Sequence, residues 1–71
     1  MRYQLIKAHR AQLYAIRNTK TNMKTEWDFS VNICFISSKC CIMFDKKQLI
    51  EILMEAETIK QLRLKCAPFL I

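Results

Sequence analysis

Glycine is absent from this chain. It is the residue that reaches positive φ without steric cost and lets a ligand approach the backbone closely, so phosphate-cradling loops and dinucleotide-binding fingerprints are excluded as written. Acids are absent from residues 1–25, which carry Arg2, Lys7, Arg10, Arg17, Lys20 and Lys24. No apolar run approaches the roughly 18 residues of a membrane-spanning helix, and the N-terminal stretch holds no apolar segment of signal-peptide length. No membrane partner is expected, and a cytoplasmic protein with reduced cysteines is the simpler reading. Histidine occurs once, as His9, and none of the four cysteines forms a C-x2-C pair. Zinc needs convergent Cys and His ligands, whereas Cys40 and Cys41, adjacent on a strand, would point to opposite faces. Neither metal nor cofactor is expected.

Catalytic constellations are missing too. A cysteine nucleophile would need His9 as its base and a third group to orient it, and nothing in the spacing brings these together. Paired carboxylates for general acid–base work are not evident. The chain reads as no enzyme.

What is present suits one small domain spanning residues 1–71. Hydrophobic residues make up 52% of the chain, enough for a compact core without a metal or a disulfide. The net charge of +6 is uneven. Residues 26–57 hold all six acids against three bases, and the remainder regains positive charge through Lys60, Arg63 and Lys65. Such asymmetry points to an acidic partner for the N-terminal segment, with a solvated basic face as the plain alternative. Abundant isoleucine and lysine without glycine fits an AT-rich coding genome, as in many bacteria, phages or plasmids.

The clearest pattern runs from Trp27 to Gln61. Trp27, Phe29, Val31, Ile33 and Phe35 alternate with polar Asp28, Ser30 and Asn32, the period of two of a half-buried strand. Ser37-Ser38-Lys39 interrupts it and Cys40–Phe44 resumes as a second strand. Asp45 with Gln48 has capping-box spacing, so a helix is expected to begin there and to pack Leu49, Ile52, Leu53, Ala56 and Ile59 on the Phe29/Val31/Ile33 face.

Residues 3–18 fit a helix. Leu5, Ile6, His9, Leu13 and Ile16 fall on one stripe, and Lys7, Arg10, Tyr14 and Arg17 on another. The rival is a hairpin, since Tyr3/Leu5 and Tyr14/Ile16 also lie two apart, but no Gly, Pro, Asn or Asp supplies a turn near His9-Arg10. Asn18–Asn22 is turn-prone. The expected class is therefore α+β: an N-terminal helix, an antiparallel β-hairpin and a C-terminal helix packed on the sheet. The alternative is a β-meander of three to four strands followed by one helix.

Two functions survive. One is a small, basic, non-enzymatic interaction protein that docks on another protein, as an accessory factor or inhibitor encoded by a mobile element. Its interface would be the apolar end of the hairpin's outer face, Cys34, Ile36, Cys41 and Met43, which could equally serve a homodimer. The other is a nucleic-acid-binding module using the ridge Lys7, Arg10, Tyr14 and Arg17, extended by Lys20 and Lys24, where cations neutralise phosphates and Tyr14 stacks. Thiol titration under denaturing, non-reducing conditions should count all four cysteines free. A stable intrachain bridge would overturn the cytoplasmic reading.

Overall fold

The computed structural model describes residues 1–29 and 39–67. Among these residues five strands and one helix follow in order: β1 (Tyr3–Ala8), β2 (Tyr14–Asn18), β3 (Met23–Lys24), β4 (Ile42–Met43), β5 (Ile50–Ala56) and α1 (Ile59–Cys66). The strands form one antiparallel sheet in the order β4-β3-β2-β1-β5. The architecture is α+β, dominated by the sheet.

The expected N-terminal helix is replaced by its rival, a hairpin, in which Leu5 pairs with Ile16 and Ile6 with Ala15. All four residues are buried, because the centre of the sheet is covered on both faces. Neighbouring apolar residues are therefore all needed inside, and the simple alternation of a half-buried strand is lost. That doubling is what imitated a helical stripe. The turn needs no glycine, since Arg10 itself adopts φ 60° while the Ala11 N–H donates to the Ala8 carbonyl at 3.1 Å. At the next turn Asn22 takes φ 58°, a conformation asparagine tolerates better than most residues.

Each sheet face has its own core. On one, Leu5, Ile16 and Ala56 pack with Leu62 and Cys66 of α1, flanked by Tyr3, Tyr14, Met54 and Ile59. On the other, Ile6 and Ala15 pack with Phe44, flanked by Trp27 and Ile50. One strand feeds both through a bulge. Ile6 pairs with Ile52 and Leu5 with Met54, which leaves Leu53 as an extra residue. The insertion reverses the alternation, so Ile50 joins the second core while Met54 and Ala56 join the first.

The expected helix from Asp45 is also corrected. The Asp45 carboxylate accepts from the Lys47 N–H at 2.9 Å and its carbonyl from the Gln48 N–H at 3.0 Å. These bonds close a turn, and strand β5 follows. The actual helix is short and starts after Thr58, whose Oγ1 accepts from the Gln61 N–H at 3.1 Å. Thr58-x-x-Gln61 itself has capping-box spacing. Leu49, Ile52 and Leu53 are exposed rather than packed on the sheet, and Phe29 is exposed too. Of the anticipated first strand, Asp28 bridges Tyr14, and residues 30–35 lie outside the described residues. Within the second, Ile42 and Met43 pair with Lys24 and Met23 of β3.

Arg10 gives the test of the hairpin turn. Arg10→Gly should hold or raise stability, by up to about 1 kcal/mol, because left-handed strain is relieved. Arg10→Val should lower it by about 1 kcal/mol, since a β-branched residue is excluded from that region. Chemical denaturation measures both, and a clear loss in the glycine variant would contradict the turn geometry.

Candidate interaction surface

Strand β5 ends the sheet, and among the described residues no strand lies beyond it. Antiparallel residues alternate between exchanging backbone bonds with the partner strand and turning both groups away. The His9 N–H donates to the Leu49 carbonyl at 3.0 Å, which sets the phase. With Lys7 opposite Glu51 and Ala8 opposite Ile50, Leu49 and Glu51 face β1, while Ile50 and Ile52 turn their N–H and C=O groups outward. Past the bulge the phase resets, and the outward carbonyl is that of Glu55. Lys65 Nζ caps it at 2.9 Å. The open portion of the edge is thus its first half, Ile50 to Ile52.

The same stretch is apolar at its surface. Leu49 is 72% exposed, Ile52 51% and Leu53 43%. Acids border these residues. Glu51 lies 3.9 Å from His9 Nδ1, and Glu55 receives the Met1 amine and the Gln4 amide, each at 3.5 Å. An outward strand edge with exposed apolar side chains is the usual template for pairing with another chain.

The basic residues singled out from the sequence do not form one ridge. Lys7 and Tyr14 stand opposite each other across β1 and β2. Arg10 sits in the turn between those strands and Lys20 in the turn after β2, so they mark opposite ends of the hairpin. Arg17 lies on the other face, its guanidinium 4.7 Å from the Phe44 ring centroid. It donates to Gln4 Oε1 at 3.4 Å and to Asn22 Oδ1 at 3.0 Å. Lys24 is 4% exposed; its Nζ lies 4.4 Å from the Trp27 centroid and donates to the Thr25 carbonyl at 3.1 Å. Both cations are bound up in packing, because strand geometry sends them to the sheet face that Trp27 and Phe44 cover.

Of the anticipated apolar interface, Cys34 and Ile36 lie outside the described residues. Cys41 and Met43 are exposed at β4, the edge opposite β5. Helical spacing hides the β5 residues in the sequence by assigning them to a buried helix face, although Leu49-Ile50 and Ile52-Leu53-Met54 hold more apolar side chains than one face can use. Cys40, Cys41 and Cys66 are free thiols. Burial pushes the Cys40 thiol up from its ordinary pKa, so it keeps its proton near neutrality. Among the described residues no group of three or more His, Cys, Asp or Glu side chains could hold a metal, and no helix is long and apolar enough to cross a membrane.

No protein-family model, curated protein or solved structure matches the chain. Function rests on the geometry.

Lys24, buried against Trp27, gives the fold a pH signature. Burial pushes its pKa below the ordinary 10.5, against the opposing pull of the Glu26 carboxylate. Between the lowered folded-state value and 10.5 the unfolded chain binds more protons, so the free energy of unfolding gains from this residue as pH rises. Lys24→Met removes the titration. Denaturation of both proteins should show the wild type gaining stability relative to the variant as pH rises toward 10.5. A difference independent of pH would contradict it.

Proposed function

We propose that the protein is a small non-enzymatic interaction protein that docks on another protein by accepting an extended segment of that partner along β5. The single observation that carries this reading is the open Ile50–Ile52 edge, with exposed Leu49, Ile52 and Leu53 beside it. Strand addition takes affinity from main-chain hydrogen bonds and specificity from alternate side chains. Here the partner's segment would set apolar side chains against Ile52 and Leu53 and a cation against Glu51. Charge favours a different protein over a second copy. In the two-fold register that pairs Ile50 with Ile52 of a second molecule, Glu51 meets its own symmetry mate, and like charges directly opposite are destabilising. An accessory factor or an inhibitor is the role that suits such a docking edge.

Ile52→Pro tests the edge, because it deletes an outward N–H and leaves the bonds to β1 in place. Leu53→Lys tests the apolar side chains, and Met43→Lys on the opposite edge serves as the control. Immobilised wild type and Met43→Lys should retain the same protein from a lysate of the source cells. Retention should fall about tenfold or more with Ile52→Pro and Leu53→Lys, the effect of losing roughly 1.4 kcal/mol. Circular dichroism checks that each variant is folded. Equal retention by all four proteins would overturn the β5 reading. Salt-sensitive retention of DNA or RNA, unaffected by the β5 substitutions, would replace it with nucleic-acid binding.

A further inference from the structure

A concavity of ≈ 730 Å³ opens between the start of β1 and the first two turns of α1. It is separate from the open half of the β5 edge. Arg2 and Tyr3 line it from the strand side, and Lys60 and Arg63 from the helix. Three cations from two elements therefore meet around one hollow, with Glu57 as the lone carboxylate at its rim. The Arg2 guanidinium lies over the Tyr3 ring, 5.8 Å from its centroid, and Ile59 adds apolar wall beside that ring.

The charges run against what stability alone would favour. Cations are favourable near a helix C-terminus and unfavourable in the first turn. Lys60 nevertheless stands in the first turn of α1, which contains no acid. Arg2 and Lys60 are exposed, and none of the ion pairs found among the described residues joins either of them to a carboxylate. An anion seated between them would offset both charges and the mismatch at the helix end. Size narrows the ligand further. The hollow is open to solvent and wider than bare phosphate would fill, and part of its wall is apolar.

We propose that this concavity binds a small phosphate monoester whose ester group is apolar or aromatic. The Arg2 guanidinium offers a planar fork to two phosphate oxygens, and the Lys60 ammonium supplies a point charge. The ester group lies against Tyr3 and Ile59. Glu57 opposes the phosphate and limits the affinity.

Phenyl phosphate, inorganic phosphate and phenol serve as probes, each titrated into the ¹⁵N-labelled full chain while amide shifts are followed. Phenyl phosphate should give saturable shifts at Arg2, Tyr3, Ile59 and Lys60, at lower concentration than either fragment. Arg2→Ala and Lys60→Ala should each weaken its binding about fivefold, and Glu57→Gln should tighten it by about the same factor, the effect of adding or removing one charged interaction. All three side chains are exposed, and the amide spectra report directly whether each variant keeps its fold. The double variant Lys46→Ala/Lys47→Ala, at the turn before β5, should bind as the wild type does. Absence of saturation at millimolar phenyl phosphate would overturn the proposal. So would inorganic phosphate binding as tightly as phenyl phosphate, or Arg2→Ala and Lys60→Ala binding unchanged.

Discussion

One extra residue in β5 holds this structure together. In β5 the apolar residues Ile50, Ile52, Met54 and Ala56 stand at every second position, which in a regular strand would serve a single face, yet both faces of the sheet need apolar cover from it. Leu53 resolves this by standing out of the ladder, so that even-numbered residues before it and after it point to opposite sides. Ile50 then reaches the Phe44 core, and Met54 and Ala56 reach the core beneath α1. Without the bulge one of the two cores would face polar side chains. The same device shapes the outside, because it leaves Leu53 at the surface and resets which backbone groups face outward. Lys65 covers the group exposed beyond the reset, and the edge before it stays open.

The second constraint is a sheet built without glycine. Among the described residues Arg10 and Asn22 take positive φ, and Asn22 is tied into a network. The Asn22 Nδ2 donates to the Phe44 carbonyl at 3.2 Å, its own carbonyl accepts from the Phe44 N–H at 2.9 Å, and its Oδ1 accepts from Arg17. Arg17 in turn covers the Phe44 ring. One turn residue thus links β2, β3 and the aromatic lid of the second core. The Arg10 turn is closed by backbone bonds instead, from the Ala11 N–H to the Ala8 carbonyl and from the Ala8 N–H to the Leu13 carbonyl.

How much of this could be read from the residues depended on how many faces each segment buries. The mixed α+β class and the uneven charge were legible, as was Ile42–Met43 as a strand. The hairpin at the N-terminus was visible only as a rival, because burying Leu5, Ile6, Ala15 and Ile16 together erases the alternation that marks a strand. At β5 the bulge shifted the period midway, and Leu49, Ile52, Leu53 and Ala56 then fell by coincidence on helical spacing. The capping signal at Asp45 was real but closed a turn, while the equivalent signal at Thr58 opened the helix. Ridge residues Arg17 and Lys24 shared no helical face because strands place them beside Phe44 and Trp27. The concavity near Arg2 and Lys60 joins residues far apart in the chain, which no local spacing could disclose.

The strand order has a consequence for how the chain is made. β1 lies between β2 and β5, so its hairpin with β2 can form as soon as both have left the ribosome. Its other edge must wait until everything from β2 to the turn at Asp45 has been synthesised. Through that interval Leu5 lacks the cover of Met54, Ala56 and α1, and Ile6 that of Phe44 and Ile50, and an unpaired strand edge beside exposed apolar side chains is prone to capture by other chains. The nascent protein is therefore most exposed to misassembly just before its last strand emerges.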